Sequence, residues 1–226
     1  MTMPAFFITA TGTDIGKTFV TAGLIRFLHQ RSRPVAALKP VASGYDKTNP
    51  SASDAGQLLD ALGRDVTEDN VAAISPWRFA AALSPDMAAA RENRTIDYNR
   101  LVAFSRESLG REQTTLFIEG IGGVMVPLDR SHTTLDWMAE LDLPLILVTG
   151  SYLGTISHTL TAVAAVKQRG LRIAALVVNE TLGSPVDHAE TAQNLAARID
   201  APAVMLPHGA RTGHAGFAAL EALVSQ

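Results

Sequence analysis

Residues 9–18 read Thr-Ala-Thr-Gly-Thr-Asp-Ile-Gly-Lys-Thr, and the last three, Gly16-Lys17-Thr18, are the residue types that hold a phosphoryl group. A glycine lets the backbone approach an anion, a lysine reaches β- and γ-phosphate oxygens, and a threonine hydroxyl binds Mg2+. The apolar run AFFITA at 5–10 precedes this stretch, and the mostly apolar Phe19-Val-Thr-Ala-Gly-Leu-Ile25 follows it. A strand therefore feeds a helix whose first N–H groups and dipole face the anion. The ordinary pattern G-x-x-x-x-G-K-[ST] asks for glycine at 11, where this chain has Thr11, with Gly12 one place later. On the motif alone, a plain strand–turn–helix carrying an exposed lysine stays open.

Further chemistry-bearing residues follow other apolar runs. Lys39-Pro40 ends the run at 35–39, with Ser43-Gly44 just beyond. Lys39 is either a solvated lysine at a strand end or a second cation beside Lys17 over a transferred phosphate, serving chemistry and not folding; Ser43 would then hydrogen-bond a substrate. Glu119 ends the run at 115–119 and is followed by Gly120-Ile121-Gly122-Gly123, glycines that let backbone come close to a ligand. Asp54 stands at a helix start, as an N-cap or first-turn acid or as a Mg2+ ligand. Thr18, Asp54, Glu119 and phosphate oxygens would make an oxygen shell of the kind Mg2+ prefers.

These residues need a scaffold that puts strand ends on one edge. Strands are expected at 5–10, 35–39, 115–119, 144–149, 173–179 and 203–206, as continuous apolar runs suited to burial on both faces. Helical patterns lie near 17–31, 53–62, 97–109, 134–141, 155–169 and 187–199, each connection long enough for a right-handed crossover. The fold class is α/β: one doubly wound, mainly parallel sheet flanked by helices, in a single domain over 1–226, with ligands beyond the carboxyl ends of the strands. Segments 42–53 and 63–95 read as surface excursions. The formal net charge of −3 without a basic run argues against nucleic acid or an anionic membrane as partner. Cysteine is absent, which removes thiol nucleophiles and zinc thiolates and suits a reducing compartment. The start, MTMPAFFITATG, lacks a basic n-region, so the expected location is the cytoplasm.

The ordered set TGTDIGKT, LKPVASG and IEGIGG resembles the dethiobiotin synthetase family, and the resemblance continues through Ser53-Asp54, the Leu153-Gly154…Ile156-Ser-His158 stretch, Val177-Val-Asn179 and the turn at Pro207. The family's loop has the form T-G-T-D-T-x-V-G-K-T; here Ala10 replaces its glycine and Gly12 its aspartate. The resemblance implies a phosphate-loop NTPase fold using ATP and Mg2+. It implies ring closure of 7,8-diaminononanoate with CO2. Lys17 and Lys39 are the implied catalytic cations, and Thr18, Asp54 and Glu119 the metal ligands. Nucleotide contacts would come from Asp14, Ile15, Gly16, Lys17, Thr18, Phe19, Asp54, Glu119, Gly120, Ile121, Gly122, Asn179, Glu180, Pro207, His208 and Gly209. Of these, Asn179 matches the family's adenine-contacting asparagine; on its own it could equally satisfy loop backbone. Substrate contacts would come from Thr13, Ser43, Gly122, Leu153, Gly154 and Thr155. The last three would hold the substrate carboxylate by main-chain N–H groups from the neighbouring subunit of a homodimer. Two other readings share the loop: an amide synthetase of the cobyrinic acid diamide type, which needs a glutaminase cysteine, and a ParA/MinD-like switch, which uses an extra lysine where this chain has Ala10 and Thr11.

Overall fold

The computed structural model describes residues 4–109 and 114–225. Among the described residues the strands are β1 (Ala5–Ala10), β2 (Val35–Leu38), β3 (Val41–Ser43), β4 (Trp77–Phe79), β5 (Thr115–Glu119), β6 (Leu145–Gly150), β7 (Ile173–Asn179) and β8 (Ala203–Leu206). The helices are α1 (Lys17–His29), α2 (Asp54–Ala61), α3 (Glu68–Ile74), α4 (Pro85–Arg91), α5 (Tyr98–Glu107), α6 (Thr134–Leu141), α7 (Thr155–Gln168), α8 (His188–Ala196) and α9 (Ala215–Val224).

Six strands form one parallel sheet in the order β2-β5-β1-β6-β7-β8. Every residue of β5 and β6 is buried, which is why these strands show no polar alternation. The chain leaves β1 towards β2 on one side and later passes to β6, β7 and β8 on the other. The loops after β1 and β5 thus open at the point where progression along the sheet reverses, the usual ligand crevice of such folds.

The flanking helices seal the sheet. Trp137 of α6 is fully buried, edge-on to Phe7 with ring centroids 4.8 Å apart, and its indole N–H donates to Ser105 Oγ of α5 at 3.1 Å. Burying a large ring with its one polar atom satisfied holds α5, α6 and β1 together. Helix α1, which carries Lys17, packs against α2 and α9. Phe217 of α9 lies so close to α1 that a Cβ on Gly23 would come within 2.2 Å of its ring. No helix among the described residues is long and apolar enough to cross a membrane.

The segments expected as surface excursions are structured. Strands β3 and β4 form a small parallel sheet of their own, and Tyr45, Val71, Ile74, Phe79, Ala88 and Ala89 are buried in the core. Elements of three to seven residues are too short to show a period in sequence. Helix α9 lies beyond the last helical pattern read from the sequence, and Phe217 and Leu220 make it part of the core.

Candidate active site

The phosphate loop turns on Gly16, whose φ of 95° is left-handed; a Cβ there would sit 2.3 Å from the Asn179 amide nitrogen. Both the conformation and the close approach require glycine. The Asn179 side-chain amide donates to the Ile15 carbonyl at 3.0 Å, which ties the loop to the end of β7, and its Oδ1 is buried with no partner. The asparagine thus satisfies loop backbone with its amide nitrogen, and its Oδ1 is left as an acceptor without a partner. Asp14 also has positive φ. Lys17 is buried, 7% exposed, and its ammonium has one long contact, to the Gly12 carbonyl at 3.4 Å. Burial, then the neighbouring Lys39 charge, lowers its pKa to about 8. A desolvated ammonium this weakly partnered is poised to gain from an incoming phosphate. The exposed-lysine reading of the loop is excluded.

Lys39 does not stand free over the crevice. It is 1% exposed, and its Nζ lies 2.8 Å from each of Asp54 Oδ2, Glu119 Oε1 and the Gly120 carbonyl, so its three hydrogens are all used. Burial alone would lower its pKa, but Glu119 and Asp54 more than offset that and raise it. The same lysine holds the Asp54 carboxyl below its usual range, against the upward push of burial. Asp54 is the first-turn acid of α2 but not its cap: Ser53 Oγ accepts from the Gly56 N–H, leaving the Asp54 carboxylate to pair with Lys39. The expectation that Lys39 plays no part in folding is therefore corrected, because it neutralises a fully buried Glu119.

The residues fit a divalent cation. Thr18 Oγ1 donates to Glu119 Oε1 at 2.7 Å, next to Asp54, and Glu119 Oε2 is buried without any hydrogen-bond partner. No group of three His, Cys, Asp or Glu side chains gathers among the described residues, so protein atoms would supply only part of a shell. That suits Mg2+, which binds through one or two carboxylates and completes its shell with water and phosphate oxygens.

Two cavities open on either side of the loop. The first, about 370 Å³, is lined by Thr13, Asp14, Gly16, Lys17, Thr18, Lys39, Ser43, Asp54, Ile121 and Gly122. The second, about 480 Å³, is lined by Asp14, Ile15, Gly16, Phe19, Asn179, Glu180, Thr181, Leu182, His208 and Gly209. Pro207 shapes the turn next to it, where the His208 N–H donates to Glu180 at 2.9 Å. Gly120 lines neither; its carbonyl holds Lys39, and a Cβ there would meet the Phe7 ring at 2.8 Å. Thr181 and Leu182 were not anticipated, although they directly follow Asn179-Glu180 at a strand end.

Leu153, Gly154 and Thr155 line neither cavity. Gly154, with φ 97°, turns the chain into α7, and Leu153 is 85% exposed. The expectation for Thr155 is corrected. Its N–H already donates to the Tyr152 carbonyl at 3.0 Å, and its hydroxyl is buried and bonded to the Gly150 carbonyl at 2.7 Å. Among the described residues, the N–H groups of Leu153, Gly154, Ile156 and Ser157 carry no internal hydrogen bond.

Comparison with known proteins places this arrangement. A profile described as an AAA domain matches residues 4–204. A protein named ATP-dependent dethiobiotin synthetase BioD from Acidiphilium cryptum is 50% identical over 200 residues, covering 88% of this chain and 90% of its own. Its namesakes from Methylobacterium nodulans, 47% identical over 199 residues (86% and 88% of the two chains), and Phenylobacterium zucineum, 45% over 218 residues (96% and 92%), agree. Among solved structures, a ParA family ATPase from Chlorobium tepidum superposes with a TM-score of 0.52 at 16% identity, over 99% of this chain and 89% of that one. The septum site-determining protein MinD from Pyrococcus horikoshii gives 0.51 at 19%, over 98% and 94%. These two share the fold. With relatives of that name 45–50% identical over 86–96% of the chain, this protein belongs to the ATP-dependent dethiobiotin synthetase family.

Proposed function

We propose that this chain is a Mg2+-dependent synthetase that carboxylates 7,8-diaminononanoate and closes its ureido ring at the expense of ATP, releasing ADP and phosphate. The observation that carries the reading is the meeting of Lys17, Lys39, Thr18, Asp54 and Ser43 at one cavity, in a chain half identical to a named dethiobiotin synthetase. The chemistry needs no protein nucleophile. One substrate amine takes up CO2 as a carbamate. A carbamate oxygen attacks the γ-phosphorus, and ADP leaves. The second amine then attacks the carbon of the resulting mixed anhydride, the C–O bond to phosphate breaks, and the cyclic urea forms.

The protein supplies position and positive charge. Lys17, weakly partnered and desolvated, receives the β- and γ-phosphate oxygens at the mouth of α1. Lys39 lines the same cavity, and its positive charge acts on the carbamate and the transferred phosphoryl group while Asp54, Glu119 and the Gly120 carbonyl hold its three hydrogens. Ser43 and Thr13 border the same space and orient the amine end. Thr18, Asp54 and Glu119 would hold Mg2+, which would supply charge to neutralise phosphate oxygens; Lys39 draws on the same two carboxylates. The adenine lies in the second cavity, where the free Asn179 Oδ1 accepts from its amino group and Phe19, Glu180 and the 207–209 turn complete the wall.

The substrate carboxylate, at the far end of the aliphatic chain, lies roughly 8–10 Å from the amines by single-bond geometry. Its binding group is the turn before α7, with the free amides of Leu153 and Gly154 and no acidic side chain in the first turn. As the family resemblance implies, the turn serves the site of a twofold partner, and the enzyme is a cytoplasmic homodimer with one catalytic domain per chain; that Leu153, Gly154 and Thr155 line neither cavity of their own protomer supports this reading. Incubation with 7,8-diaminononanoate, bicarbonate, ATP and Mg2+ tests the reading: dethiobiotin is detected by mass only when all four are present. ATP turnover indifferent to the diamine would overturn it.

A further inference from the structure

Four threonines meet where β1, β6 and α7 converge, and the mechanism above uses none of their side chains. Thr149 Oγ1 lies 3.2 Å from Thr11 Oγ1, 2.9 Å from Thr155 Oγ1 and 2.8 Å from Thr159 Oγ1. Thr149, Thr155 and Thr159 are buried. Valine would fill the same volume, so the hydroxyls, and not the shape, call for explanation.

Each hydroxyl has one proton, and counting them gives the network a direction. Thr155 donates to the Gly150 carbonyl and Thr159 to the Thr155 carbonyl, each at 2.7 Å. Towards Thr149 both can therefore only accept. The single Thr149 proton is directed at α7, shared between acceptors one helical turn apart, and Thr11 donates to Thr149. Donation runs from the first residue of the phosphate loop, through Thr149, to the first turn of α7. From the other side, Ser151 and Thr181 exchange hydrogen bonds, Ser151 N–H to Thr181 Oγ1 at 3.1 Å and Thr181 N–H to Ser151 Oγ at 3.0 Å. Thr181 borders the second cavity. The turn 150–154 is thus fastened to a nucleotide-contacting loop on each flank.

We infer that Thr149 is a positioning residue that couples the phosphate loop of one protomer to its own turn before α7, and so fixes the distance between that protomer's γ-phosphate and the group that holds the far end of the amine substrate in the partner's site. A buried hydrogen-bonded chain between two rigid elements carries such coupling, and displacements near 1 Å at reacting atoms cost about 10²-fold in rate. The identity of the substrate rests on the function proposed above; the coupling itself does not.

Thr149→Val keeps the volume and removes the hub hydroxyl, while Thr149→Ser keeps the hydroxyl. Two measurements on the full chain decide. The first is amide hydrogen exchange at 151–157 with and without a non-hydrolysable ATP analogue. The second is steady-state kinetics with the diamine. In the wild type and Thr149→Ser, the nucleotide slows exchange at 151–157. In Thr149→Val that response is lost, and KM for the diamine rises about tenfold, the loss of one buried hydrogen bond, with the ATP Kd within about twofold. A Thr149→Val protein that melts at lower temperature but keeps both the exchange response and the diamine KM overturns the coupling, as does a wild type whose exchange at 151–157 ignores the nucleotide. If the wild type forms no dethiobiotin, the substrate assignment falls, and the exchange experiment still decides the coupling by itself.

Discussion

Lys39 is surrounded on three sides by oxygen, a geometry that gives it a structural duty beside the chemical one proposed above. Lys39→Ala should cut turnover by about two to three powers of ten, the scale for losing one group that stabilises transition-state charge. It should also leave Glu119 buried and uncompensated, lowering stability by about 3–5 kcal/mol. Turnover measured with denaturant unfolding checks both; normal turnover removes Lys39 from the chemistry, and unchanged stability removes its structural role. Asp54 is separable, because its helix is capped by Ser53. Asp54→Asn should shift the Mg2+ concentration needed for half-maximal rate upward at least about tenfold, as expected for losing one carboxylate ligand. A change confined to the melting temperature would strike Asp54 from the metal site.

Among the elements, the phosphate loop is the most constrained. Gly16→Ala adds a Cβ 2.3 Å from the Asn179 amide at φ 95°, so the loop must shift or Asn179 must let go of Ile15. A strain of this kind costs about 1–3 kcal/mol, and ATP affinity by calorimetry should fall at least about tenfold. Helix α6 shows the same dependence on its start. Asp136 accepts from the Thr133 N–H and hydroxyl, both at 2.8 Å, and pairs with Arg169. Burial pushes its pKa up, but the Thr133 hydrogen bonds and Arg169 outweigh it and hold the carboxyl below the usual aspartate range. A carboxyl depressed in the folded state contributes stability that is complete above its unfolded pKa near 4 and is lost as pH falls through the folded value. Asp136→Asn should therefore cost about 1 kcal/mol at neutral pH and flatten the acid limb of the stability profile, read by urea unfolding between about pH 3 and pH 7. An unchanged acid limb would show that other carboxyls set it.

For the whole molecule, the open question is what covers the turn before α7. Leu153 is 85% exposed beside unpaired amides, and Met125, in the loop that follows β5, is 58% exposed. If a second copy of the chain receives this turn, Leu153→Asp should yield monomers in sedimentation velocity. The diamine KM should rise while ATP binding is kept. A wild-type chain that sediments as a monomer at full activity across a dilution series would end the dimer reading, and with it the shared substrate site.

The six strands of the main sheet and most of the helices around it were legible in the sequence because each is long enough for its pattern to speak, and because strands buried on both faces read as unbroken apolar runs. Gly16-Lys17-Thr18, Glu119 and Asn179 were legible because they sit at strand ends, where this fold class puts ligands. What lay beyond sequence is whatever depends on side chains far apart in the chain. Strands β3 and β4 pair although the 33 residues 44–76 separate them in the chain. The occupation of the Lys39 ammonium by Asp54 and Glu119 arises only when two strand ends and a helix start meet. The engagement of the Thr155 amide and hydroxyl, and the hub at Thr149, follow from how β6 docks on the phosphate loop and α7. Residue type and spacing name the groups available for chemistry; partners, burial and protonation are set by distances between segments that a linear pattern does not contain, and these only the tertiary structure decided.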